Sequence, residues 1–130
     1  MANALAELSC VSVGRDGARA TPQEIDAYME QLPGWRIIEV HGVQRLRRDF
    51  KFDDLAAALA FTTAIGRLGE QEHHHPATVT GRNGVTVTIW TFVLRALHQN
   101  DFILAAKIDR LAARPTPDGS AGADHAPLAP

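Results

Sequence analysis

The run Glu70-Gln71-Glu72-His73-His74-His75-Pro76 gathers three of the chain's six histidines, with two carboxylates within a helical turn of them. Imidazole is the side chain whose unperturbed pKa lies near neutrality, so such a cluster suits proton transfer at cellular pH, or metal binding. Histidines and charged residues also collect in the last turn of a solvated helix, where cations complement the helix dipole. Metal binding is the weaker chemical reading. Neighbouring histidines in an extended segment point to opposite sides, and structural zinc sites use spaced ligand pairs that this sequence does not show. The chain is therefore expected to bind no metal and to need no cofactor.

Positioning those histidines falls to a regular series of elements. Thr21-Pro22-Gln23-Glu24 is a capping box with proline at the first helical position. Ile25, Tyr28, Met29 and Leu32 give that helix an apolar stripe, which Pro33-Gly34 ends. Trp35 to Val40 and Val43 to Phe50 read as strands joined by the tight turn His41-Gly42. Asp53 or Asp54 caps a second helix reaching about Glu72, with Leu55, Leu59, Thr62, Ile65 and Leu68 on its apolar face. Pro76 stops it.

Ala77 to Arg82 and Val85 to Phe92 are the second strand pair, with Asn83-Gly84 as a type I′ turn. Asn100 or Asp101 then caps a third helix carrying Phe102, Ile103, Ala106, Ile108 and Leu111. Two hairpins alternating with three helices predict an α+β fold: a four-stranded antiparallel sheet with three helices on one face. Residues 1–20 read as an extended arm, 21–113 as the folded domain, and the Pro-, Gly-, Ala- and Ser-rich segment 114–130 as a disordered tail.

Composition sets the outer bounds. A chain of 130 residues with 45% apolar and 22% charged content fits one globular domain. A net charge of -2 gives no electrostatic reason to expect nucleic acid or an anionic membrane as partner. Cys10 is the single cysteine, which argues against a disulfide framework and for a reducing compartment. No apolar run reaches membrane-spanning length, and the expected location is cytoplasmic.

Four segments in order carry a family resemblance: Leu32-Pro33-Gly34-Trp35, Arg48-Asp49-Phe50-Lys51-Phe52, His74-His75-Pro76, and Asn100 through Asp109. Together they resemble the pterin-4a-carbinolamine dehydratases. The resemblance implies a four-stranded antiparallel sheet with three helices, assembled as a dimer or tetramer. It also implies dehydration of a 4a-hydroxytetrahydropterin to the quinonoid dihydropterin, which needs a general acid and a base. That work is placed on residues matching His74 and His75, on an acid matching Glu70, on an acidic residue matching Asp101, and on a third histidine late in the fourth strand.

At the third histidine's position this chain has Phe92, within Trp90-Thr91-Phe92. The family's aromatic position is Arg82, and its Gly-Gly-Leu-Thr is here Arg95-Ala96-Leu97-His98. Arg82 and Trp90 are the substrate-binding candidates. From the residues alone, Arg82 is a solvated turn residue, whereas Trp90 and Phe92 share a strand face as packing residues. Phenylalanine exchanges no proton, and losing one acid or base costs on the order of 10²–10⁴ in rate. His98 is the candidate replacement. The altered pocket resembles that of a divergent branch of the family, the chaperone-like RuBisCO assembly factors of the α-carboxysome, and this resemblance implies a degraded site, lost enzymatic activity and the RuBisCO large subunit as partner. The alternative is a working 4a-hydroxytetrahydrobiopterin dehydratase.

Overall fold

Thr21 begins the regular structure as the sequence predicts. Its hydroxyl accepts the Glu24 N–H at 3.1 Å while the Glu24 carboxylate accepts the Thr21 N–H at 2.9 Å. In the computed structural model, which describes residues 4–114, this box starts α1 (Pro22–Met29). β1 (Arg36–Val40), β2 (Val43–Lys51), α2 (Leu55–Glu72), β3 (Ala77–Gly81), β4 (Gly84–Ile89) and α3 (Gln99–Ala113) follow. The expected tail lies outside the described residues, apart from Arg114. No described helix is long and apolar enough to cross a membrane.

The four strands form one antiparallel sheet in the order β1-β2-β4-β3. Leu46, Phe50, Val85, Val87 and Ile89 are fully buried on its inner face, where α2 and α3 pack. Alternation explains this face, since side chains two apart point the same way along a strand. The outer face is polar: Thr86 donates to Asp49 at 2.7 Å, and Arg47 lies 3.3 Å from the same carboxylate.

Trp35 and Arg48 tie the sheet to α3. The indole N–H of Trp35 and the Arg48 guanidinium both donate to Asp109 Oδ1 at 2.8 Å. The approach leaves no room at Gly34, where a Cβ would come within 2.6 Å of the guanidinium carbon. That contact explains the glycine in Pro33-Gly34-Trp35.

Four local expectations change. The β3–β4 turn is displaced by one residue: Gly81 pairs with Gly84, so Arg82 and Asn83 are the central pair. Neither adopts positive φ; instead the Asn83 carbonyl accepts the Phe52 N–H at 2.9 Å. On α2 the buried stripe is Ala58, Phe61, Ile65 and Gly69, whereas Leu55 and Leu59 are exposed. Phe61 decides the rotation, because its ring packs 4.9 Å from Phe50 and 5.1 Å from Phe52, a larger apolar contact than a leucine supplies.

The third change is in the arm, which contains a 3-10 turn, Ala4–Glu7, that buries Leu5 and Ala6. Finally, β4 ends at Ile89 rather than Phe92. A Thr91–Ala96 bridge reverses the chain there, and the 3-10 turn Phe92–Leu94 fills the reversal. Arg95 closes that turn at φ 50°, a left-handed conformation that favours glycine. Arg95→Gly is expected to raise unfolding free energy by about 0.5–1 kcal/mol, after the added chain entropy of glycine is subtracted. Urea denaturation measures it; a loss of stability would mean that the arginine side chain holds the loop.

Candidate functional site

The histidine run diverges because α2 ends in a left-handed residue. His73 sits at φ 54° as the C-cap. Its N–H donates to Glu70 O at 3.3 Å, and the His74 N–H donates to Gly69 O at 3.0 Å. These bonds satisfy carbonyls that the helix end would leave unpaired. The chain then turns sharply, so His74 points inward with its side chain 14% exposed, and His75 points outward at 60%.

His74 meets a buried carboxylate. Its Nε2 lies 2.5 Å from Asp101 Oδ1, and Asp101 has no exposed surface. Asp101 Oδ2 accepts from the Thr91 hydroxyl at 2.9 Å and from the His98 N–H at 2.8 Å. An ionised carboxylate only accepts hydrogen bonds, so Nε2 carries the proton and Nδ1 of the neutral ring presents a lone pair. The contact fixes the orientation of the His74 ring. His75 and Glu70 form a looser pair at 3.5 Å, with Glu70 81% exposed. An exposed pair of this kind contributes about 0–1 kcal/mol.

His98 does not replace the missing histidine. It is the N-cap of α3, and its Nδ1 accepts the Asn100 N–H at 2.9 Å, while Asp101 accepts the His98 N–H to complete a capping box. Neither Asn100 nor Asp101 is the cap itself. Burial pushes the His98 pKa below its ordinary value, and His74 acts the same way, against the opposing pull of Asp101 and Glu24.

A cleft of about 460 Å³ opens beside His74 and His75, walled by Trp90, Phe92 and the arm residues Val11–Val13. Arg45 stacks on the Trp90 ring at 3.9 Å, so Trp90 is a wall with a fixed plane. Phe92 is not a packing residue: outside the strand and 78% exposed, it stands at the cleft mouth. Arg82 is not brought to the cleft. It lies at the far end of β4 from Trp90, about 20 Å away at a strand's rise per residue. Among the described residues no group of three or more His, Cys, Asp or Glu side chains is placed to hold a metal ion.

Thr91, Asn100 and the arm are the participants that sequence reasoning missed. Thr91 had a signal, since its strand parity with Val87 and Ile89 turns it inward to Asp101. Asn100 and Val11 had none, because their contact spans 89 positions.

Three comparisons fit this geometry. The family model described as Pterin 4 alpha carbinolamine dehydratase matches residues 18–111. A provisionally named pterin-4-alpha-carbinolamine dehydratase of Syntrophotalea carbinolica is 47% identical over 108 residues, 82% of this chain and 96% of that protein. One from Gloeobacter violaceus is 42% identical over 110 residues, 85% and 95% respectively. A transcriptional coactivator/pterin dehydratase from Brucella melitensis superposes at TM-score 0.66 with 29% identity, over 73% of this chain and 99% of its own. A pterin dehydratase-like protein described as a RuBisCO assembly factor in the alpha-carboxysome gives TM-score 0.52 with 28% identity, over 61% of this chain and 89% of its own.

The His98 cap makes stability depend on pH. A folded-state pKa below the unfolded value of about 6.5 means stability that is present above that value and lost as pH falls through the lowered one. His98→Asn keeps a capping acceptor without a titrating ring. The urea midpoint of the parent should therefore fall more steeply below about pH 6.5 than that of the variant; parallel curves would refute the assignment.

Proposed function

The chain belongs to the pterin-4a-carbinolamine dehydratase family, and from that premise we propose that its cleft binds a 4a-hydroxytetrahydropterin and promotes loss of water from it. The observation that carries this reading is the His74–Asp101 pair, a proton carrier fixed by a fully buried carboxylate. In the reaction the 4a hydroxyl leaves with a proton as water, and N5 gives up its proton, so no net proton is consumed. His74 Nδ1 is the group suited to one of these transfers. His75, exposed and beside Glu70, is suited to exchange with solvent. Phe92 offers a flat face but no proton, so the rate is set below that of a three-histidine site by on the order of 10²–10⁴.

A second reading has its own support. Phe92, Val93 and Val11 are exposed apolar side chains around one opening, and such a cluster suits a protein partner. With the RuBisCO assembly factor among the structural neighbours, the partner this reading names is the RuBisCO large subunit. Self-association accompanies either reading. Leu55, Ala56, Leu59 and Ala60 are exposed on the outer side of α2, an apolar face suited to a second copy.

Stopped-flow dehydration of 4a-hydroxytetrahydropterin separates the readings. A rate above the uncatalysed one is expected, cut by on the order of 10²–10⁴ in His74→Ala or Asp101→Asn, and raised at least tenfold in Phe92→His. No acceleration over buffer, with stoichiometric capture of RuBisCO large subunit, would replace the enzymatic reading with the assembly one. For self-association, sedimentation velocity should show Leu59→Arg shifted to a smaller species than the parent; an unchanged distribution would move the interface elsewhere.

A further inference from the structure

Residues 10 and 11 of the arm hold an arrangement that packing alone does not explain. The Asn100 side chain, 2% exposed, spends both ends of its amide on the backbone of one arm residue. Its Oδ1 accepts the Val11 N–H at 3.0 Å, and its Nδ2 donates to the Val11 carbonyl at 2.7 Å. One position earlier, the Cys10 N–H donates to Glu72 at 2.9 Å. Yet the Val11 side chain is 62% exposed, so the clamp does not serve to bury it. It holds the arm along one side of the cleft, where Val11, Ser12 and Val13 face the histidines. The same α3 turn that carries Asp101 therefore also carries the residue that fixes the opposite wall.

We infer that residues 11–13 form a wall of the ligand site, that Asn100 is the positioning residue holding that wall, and that the wall selects for a pterin bearing a small uncharged substituent. The inference rests on the proposed pterin reading and deepens it. Selection follows from what lines the cleft: polar groups at the floor, His74 and Thr91, and apolar groups at the mouth, Val11, Val13, Phe92 and Val93. No lysine or arginine is among the lining residues, the Arg45 guanidinium being engaged on the Trp90 ring, so a carboxylate-bearing tail would meet the apolar mouth without a lining counter-charge, which is unfavourable. Asn100 and the arm lie on different elements, so the width of the slot is set by hydrogen bonds to the arm, those of Asn100 and that of Glu72, rather than by the sheet.

Cys10 supplies a built-in reporter. Its Sγ lies 3.5 Å from the Asn100 carbonyl in the docked arm. Burial first, and then the Glu72 charge, push the thiol up to about 12, so it reacts slowly while the arm stays in place. The experiment measures two things on the full chain: fluorescence Kd for 6-methyl-7,8-dihydropterin and for 7,8-dihydrofolate, and the rate of Cys10 labelling by a disulfide reagent. The parent should favour the methyl compound at least tenfold, and saturating amounts of it should slow labelling. Val11→Asp alters an exposed side chain and should fold normally, yet lose about tenfold or more in affinity for the methyl compound, the scale of a single pocket contact. Asn100→Ala should label about tenfold faster or more and lose the preference between the two ligands. Parent-like affinity and preference in a folded Val11→Asp would overturn the wall, as would labelling that ligand does not slow. A parent that binds neither compound removes the pterin reading and the wall together; a parent that binds, with arm variants unchanged, removes the wall alone.

Discussion

A carboxylate with no exposed surface must find donors inside the protein, and at Asp101 it finds them on three separate segments. The His98 amide belongs to the start of α3, the Thr91 hydroxyl to the loop after β4, and the His74 imidazole to the turn after α2. Removing any one leaves charge buried with less compensation, a loss of roughly 1–3 kcal/mol or more. The three segments are therefore bound to one another through a single side chain. The orientation of His74 is a consequence of that requirement, since the ring cannot swing away without taking this donor from Asp101 Oδ1.

Asp109 repeats the device two turns further along α3. Eight residues at 1.5 Å rise place it about 12 Å from Asp101, on the side where Trp35 and Arg48 reach in from the sheet. One helix thus carries two acidic residues with opposite tasks, one locking the sheet to the helical layer and one locking the site. Gly34 follows from the first task, because any side chain there would displace the guanidinium. The start of α3 is buried from Asn100 to Ala106, so Asp101 meets protein rather than water, while Asp109, its side chain 19% exposed, holds its two donors at a partly open position.

Legibility in the sequence divides along the range of the interaction. Capping boxes, hairpins and strand alternation are set within a few residues, and Thr21, His41-Gly42 and the Val85-Val87-Ile89 face are where the local chemistry puts them. α2 shows the limit. Its sequence is apolar on every side, so periodicity admits two stripes, and only the partner rings Phe50 and Phe52 select the one with Phe61. The turn Arg82-Asn83 shows another, because the strand register, not the best turn dipeptide, decides which residues lie between the strands. The histidines were visible, and so was Glu70 close to His75, but the pairing of His74 with Asp101 was not. His74 pairs across 27 positions and Asn100 across 89, and no local pattern encodes a distance of that kind.

Phe92 marks the boundary between what the fold requires and what it permits. The three groups around Asp101 are buried or nearly so, and each sustains both stability and geometry. Phe92 stands outside that network, 78% exposed at the start of a turn closed by backbone hydrogen bonds: Thr91 N–H to Ala96 O, Leu94 N–H to Thr91 O and Arg95 N–H to Phe92 O. Nothing in the loop depends on which side chain position 92 carries. The side chain at position 92 can therefore change without disturbing the His74–Asp101 pair. On the proposed reading, proton transfer at His74 and ligand contact at the mouth rest on different residues, within a fold shared with neighbours described as a pterin dehydratase and as a RuBisCO assembly factor.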